Sequence, residues 1–163
     1  MFPPEHYDLA RQVIDLYTSH KRKIVTAESC TGGLIAAALT EIPGASAVLE
    51  RGFVSYSNDA KVEVLGVMPE LLELSGAVSP DVAEAMAQGA LEFSLAHTCL
   101  SVTGIAGPDG GSALKPVGLV YFGFARRGGS LLHYRCQFAG DRGAIRMQAV
   151  REGLRLLLSM GQD

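Results

Sequence analysis

Two strand-like runs, residues 117–125 and 131–138, are separated by a short stretch that contains Arg127-Gly128-Gly129. A connection this short reads most simply as a hairpin, and a hairpin makes an antiparallel pair. Upstream, helical and extended patterns alternate instead, the order that gives parallel strands. Residues 5–20 place Leu9, Val13, Leu16 and Tyr17 at helical spacing, ahead of a strand over about 22–27. A helix is expected over 32–40, stopped by Ile42-Pro43-Gly44. An extended segment follows over 47–56, with Gly52 as a bulge or a point of close approach. Asn58 is expected to cap a helix ending at Leu65 before Gly66, and residues 69–74 to add a helical turn. Ser79-Pro80-Asp81 supplies cap, first-position proline and acidic first turn for a helix reaching about Ala96. After a strand over 99–105 and the hairpin, Asp141 caps a last helix to about Met160, whose apolar face carries Ile145, Val150, Leu154, Leu157 and Leu158. Alternation followed by a hairpin predicts an α/β layer structure on a mixed sheet rather than a purely parallel one.

With 163 residues, 48% of them hydrophobic, the chain can bury a full core, and one domain over 1–163 is expected. A net charge of -3 gives no electrostatic footprint for nucleic acid. The basic runs at Lys21 to Lys23 and Arg126-Arg127 are read as solvated element ends. No apolar run is long enough to span a bilayer, and Pro3, Pro4 and Glu5 stand where a signal peptide would be apolar. A soluble cytoplasmic protein with no membrane partner is expected. The three cysteines, Cys30, Cys99 and Cys136, are too widely spaced for a zinc knuckle and odd in number. Cys99 and Cys136 are expected to act as small hydrophobes.

Chemistry concentrates in Thr26-Ala27-Glu28-Ser29-Cys30-Thr31-Gly32-Gly33, where a strand turns through two glycines into a helix. The first turn of such a helix offers unpaired N–H groups and a positive dipole end, suited to an oxyanion or a phosphate. Ser29 or Cys30 would sit beside it; the bland reading makes Ser29 or Thr31 a simple N-cap. Dinucleotide, P-loop, Gly-x-Ser-x-Gly and Ser-x-x-Lys signatures are absent. The histidines His6, His20, His97 and His133 lack ligand spacing, so no metal and no histidine triad are expected. A serine without histidine needs lysine or tyrosine as proton acceptor. Counted from Asn58 as cap, Lys61 falls at the third helical position, where a cation opposes the dipole and its pKa should fall, more so if buried. Tyr56 lies just before that cap and can relay or orient the proton; otherwise Lys61 is a solvated surface lysine and Tyr56 a core ring. The glycine-rich run from Gly107 to Ser112 can form an anion-binding nest, and Arg142 can add a guanidinium to it.

These segments, with Glu50 to Lys61, Gly76-Ala77-Val78-Ser79, Gly104 to Gly111 and Lys115-Pro116-Val117-Gly118, occur in one order and resemble the C-terminal domain of the competence/damage-inducible protein CinA. The resemblance runs from about Glu5 to Leu158. It implies a three-layer α/β/α sandwich without metal or cofactor. It also implies the activity of the family's stand-alone members, which convert nicotinamide mononucleotide to nicotinic acid mononucleotide and ammonia. By the same resemblance Ser29 is the nucleophile and Tyr56 and Lys61 are its activating partners. Thr31, Gly32 and Gly33 would supply an anion hole, while Thr103, Gly104, Gly107 and Arg142 are expected to bind substrate. The molybdopterin-binding-like N-terminal domain of larger members is not expected here. Two other readings remain open at this point: a Cys30 thiol as nucleophile, and a non-catalytic nucleotide-binding module. A homo-oligomer would suit apolar surface on the edge strands and last helix.

Overall fold

The computed structural model describes residues 1–162. In chain order the elements are α1 (Pro4–Ser19), β1 (Ile24–Glu28), α2 (Leu34–Thr40), β2 (Leu49–Val54), α3 (Asn58–Leu65), α4 (Pro69–Ser75), α5 (Pro80–Glu92), β3 (Thr98–Gly104), β4 (Leu119–Arg126), β5 (Leu131–Gln137) and α6 (Arg142–Gly161). The five strands lie in the order β2-β1-β3-β4-β5. β1 pairs in parallel with β2 and β3, whereas β3–β4 and β4–β5 are antiparallel, so the hairpin makes the sheet mixed.

Strand alternation splits the apolar side chains between two cores. Ile24, Leu100, Phe122 and Phe124 join residues of α1, α2 and α6 on one face. Val25, Cys99 and Ala125 join Leu65 of α3 and the buried face of α5 on the other. The result is a three-layer α/β/α sandwich. No helix among the described residues is long and apolar enough to cross a membrane.

Caps explain most boundaries. Ser79 Oγ accepts from Val82 N and Asp141 Oδ1 from Ala144 N, as their sequence positions predict. The third cap corrects the sequence reading: Ser57, not Asn58, caps α3, its Oγ accepting from Ala60 N at 3.0 Å. Lys61 is therefore the fourth helical residue rather than the third. α2 starts at Leu34 rather than residue 32, because Gly33 at φ 95° turns the chain in the left-handed region. Neither Ser29 nor Thr31 is its cap. A 3₁₀ turn at Ala45–Ala47 delays β2 to Leu49, α5 stops at Glu92 rather than Ala96, and β4 begins at Leu119 because Gly118 still belongs to the preceding turn. Gly52 is a point of close approach: a Cβ there would lie 2.9 Å from Thr26 Oγ1.

The topology fixes where a site can form. From β1 the chain leaves through α2 towards β2, and from β3 it leaves towards β4 on the opposite side. Between the carboxyl ends of β1 and β3 the connections diverge and a crevice opens, the position at which open α/β sheets place ligands.

Candidate active site

Ser29 directly follows β1 and continues its parallel pairing, its N–H donating to Val102 O of β3 at 2.9 Å. That bond sets the serine at the floor of the crevice. Lys61, in the first turns of α3, reaches down from the next βα unit and is almost wholly buried, at 1% exposure. Its Nζ lies 3.0 Å from Ser29 Oγ, 3.0 Å from Ser55 O and 3.4 Å from Tyr56 O. No carboxylate is within bonding distance of it in these contacts. Burial pulls the Lys61 ammonium below the ordinary lysine range, and the opposing influence of Cys30 is smaller. Sequence reasoning assigned the shift to the helix dipole with burial as reinforcement; in the structure burial is the leading cause.

The three Nζ contacts suit a neutral amine. Two N–H bonds can donate to the carbonyls of Ser55 and Tyr56, which accept only, and the lone pair is left for the Ser29 hydroxyl proton. The neighbouring Cys30 is a poorer nucleophile, since burial pushes its thiol up to about 12 and disfavours the thiolate.

The cleft around this pair has a volume of about 260 Å³ and is lined by Ser29, Cys30, Tyr56 and Lys61 on one side and by Thr103, Gly104, Gly107 and Arg142 on the other. Gly104 is needed for close approach, because a Cβ there would fall 2.7 Å from Val120 Cγ2 and 3.2 Å from Cys30 Sγ. Thr103 Oγ1 donates to Ala77 O at 2.8 Å, holding the Ala77-Val78 wall in place. Arg142 donates to Gly107 O at 2.8 Å and to the Tyr56 hydroxyl at 2.7 Å. Tyr56 thus faces the pair through its backbone carbonyl, while its half-exposed ring carries the hydroxyl out to Arg142.

Thr31, Gly32 and Gly33 are not among the cleft-lining residues. Gly32 N–H is spent in a turn on Ser29 O at 3.0 Å. The helix end behind them already holds an anion, and it belongs to the chain itself. Glu28, with no exposed surface, accepts from Thr31 Oγ1 at 2.6 Å, from Ile35 N at 2.9 Å and from Ala36 N at 3.0 Å. Sequence reasoning missed this role. It also missed Arg146, which donates to Cys30 O at 3.1 Å and Thr31 O at 3.2 Å. The available signal was its spacing of four from Arg142, which puts both guanidiniums on one face of α6. Asn58, read from the sequence only as a cap, and Asp109, read only as part of the glycine-rich run, also line the cleft. Among the described residues no group of three or more His, Cys, Asp or Glu is placed to hold a metal ion.

Residues 6–160 match the family model of the CinA C-terminal domain. A nicotinamide-nucleotide amidohydrolase PncC of Enterobacter agglomerans is 58% identical over 126 residues, 77% of this chain and 77% of that protein. The nicotinamide-nucleotide amidohydrolase PncC of Escherichia coli strain K12 is 47% identical over 157 residues, 96% of this chain and 95% of its own. Among solved structures, the competence/damage inducible protein CihA from Agrobacterium tumefaciens superposes with a TM-score of 0.97 at 50% identity, covering 99% of each chain.

Proposed function

Because the chain belongs to the CinA C-terminal domain family, we propose that it is a nicotinamide-nucleotide amidohydrolase in which a serine is activated by a neutral lysine. The relatives that carry this activity in their names match 77% and 96% of the chain. The observation that carries the mechanism is the 3.0 Å contact between Lys61 Nζ and Ser29 Oγ, made by a lysine whose burial disfavours its charged form.

In the proposed reaction Lys61 takes the Ser29 proton as Oγ attacks the carboxamide carbon of nicotinamide mononucleotide. The resulting ammonium returns that proton to the leaving nitrogen, the C–N bond breaks, and ammonia departs from an acyl-serine. Water, deprotonated by the same lysine, adds to the ester carbon. Ser29 is reprotonated and nicotinic acid mononucleotide leaves. With the α2 terminus occupied by Glu28 and Gly32 N–H tied to Ser29 O, the developing oxyanion falls to cleft-lining backbone, and the Cys30 N–H, bonded directly to the nucleophile's residue, is the first candidate. Such a donor contributes a few kcal/mol, roughly 10²–10³ in rate. The phosphate is assigned to Arg142 and the glycine loop, with Thr103, Gly104 and Gly107 shaping the wall it approaches. Tyr56 orients Arg142 through its hydroxyl and holds Lys61 through its carbonyl. The test is ammonia release from nicotinamide mononucleotide by wild type and Ser29→Ala; equal rates would sink the mechanism.

A further inference from the structure

The turn that presents Ser29 is intrinsically soft. Gly32 and Gly33 follow one another at φ 58° and 95°, and glycine brings the least conformational restraint of any residue. Yet the serine oxygen must stay within reach of one amine. The restraint comes from two side chains of opposite charge, one on each polar side of the turn. Glu28 collects the N–H side: the hydroxyl of Thr31 and the amides of Ile35 and Ala36. Arg146 collects the carbonyl side, with one nitrogen on Cys30 O and another on Thr31 O. Charged partners make stronger and more directional bonds than neutral caps, and the guanidinium's planar fork matches two successive carbonyls. Glu28 has a second link, since its carbonyl accepts from Ser55 N at 2.9 Å, and Ser55 O in turn holds Lys61 Nζ. Neither side chain lines the cleft.

We infer that Glu28 and Arg146 are the positioning residues of the nucleophile, clamping the turn from its two sides so that Ser29 Oγ stays aligned with Lys61. The inference rests on the proposed Ser29 chemistry but not on the identity of the substrate. Misplacing a reacting group by about 1 Å costs roughly 100-fold, and the cost falls on turnover rather than on binding.

The experiment measures kcat and KM for ammonia release from nicotinamide mononucleotide across pH, for Arg146→Met, Arg146→Lys and Glu28→Gln. In parallel it measures the rate at which a small fluorophosphonate labels Ser29 with no substrate present. Circular dichroism and thermal melting confirm that each variant is folded, and the Arg146 pair decides the outcome should Glu28→Gln fail to fold. For Arg146→Met the clamp predicts kcat lower by roughly 30- to 100-fold, KM within about threefold, an unmoved acid limb and a matching fall in labelling, with Arg146→Lys recovering part of the loss. Unchanged kcat and labelling in folded variants would overturn it, as would a loss confined to KM, which would make Arg146 a substrate contact. If wild type itself releases no ammonia, the proposed activity fails, and the labelling rates still decide the clamp.

Discussion

Two helix N-termini converge on Ser29, and the fold loads them with opposite charges. The α2 terminus receives the Glu28 carboxylate, the sign its dipole favours, and three donors close around it. The first turns of α3 receive Lys61, the sign the dipole disfavours, and only carbonyls and the Ser29 hydroxyl meet it. Both side chains are buried to the same degree. Burial with complete partners fixes a group in place, whereas burial with neutral partners favours the uncharged form and suits a lysine to accept a proton. The two regions differ in what surrounds the charge, and that difference divides scaffold from chemistry.

The most severe way to break this contrast is to remove the acceptor. Lys61→Met should lower kcat for ammonia release by about 10²- to 10⁴-fold, the range for losing a general base, with KM little changed. Lys61→Arg should do the same, because arginine keeps the charge and cannot deprotonate. Since the base must be neutral, wild-type kcat/KM should rise with pH through the lowered Lys61 pKa and level off above it. The linkage has the same sign. Between that lowered value and the ordinary 10.5 the unfolded chain holds a proton on Lys61 that the folded chain does not, so Lys61 contributes a climb in stability with pH across this window. It is set against the opposite slope from the buried Cys30 and Cys99 thiols, whose pKa values are raised. Denaturant melts of Lys61→Met should lack that climb.

On the structural side of the contrast, Glu28→Ala should cost stability as well as turnover. It strands three donors and should cost about 3 kcal/mol, read from the denaturant midpoint. A smaller effect is expected at the cleft's outer edge. Tyr56→Phe removes the hydroxyl from Arg142 but leaves the carbonyl on Lys61, so kcat/KM should fall by about tenfold, mostly through KM, and non-additively with Arg142→Lys. A kcat loss as large as that of Lys61→Met would instead give the phenol a direct part in proton transfer. The smallest effect sharpens the α3 side: Ser57→Ala should cost about 1 kcal/mol of stability, and Asn58→Ala little, since Ser57 is the cap.

Much of this was legible in the residues. Ser79 and Asp141 announced their helices because a cap, its helix and the following apolar periodicity are all local. Ser57 and Asn58 are adjacent and both good caps, so composition alone left the start of α3 uncertain by one residue, and with it the position of Lys61. The role of Glu28 was hidden for a different reason. A glutamate at a strand end reads as solvated, and its partners Ile35 and Ala36 come within reach only after two left-handed glycines have turned the chain. For the same reason Thr31 to Gly33 looked like an open anion site in sequence. Arg146 meets carbonyls more than a hundred positions away in the chain, beyond any local pattern.

The hydrogen bonds of the site span very different lengths of chain, with a consequence for how it assembles. Ser29 and Lys61 are 32 residues apart, inside one β1-α2-β2-α3 unit, whereas the bonds from α6 reach back 86 residues to Tyr56, 115 to Thr31 and 116 to Cys30. Closing long loops costs more entropy than closing short ones, and contacts of great separation slow folding. The proposed nucleophile and base can therefore meet while the chain is still growing, but the guanidiniums arrive only when the last helix docks. Until that docking is complete, the proposed pair is braced on the Glu28 side alone.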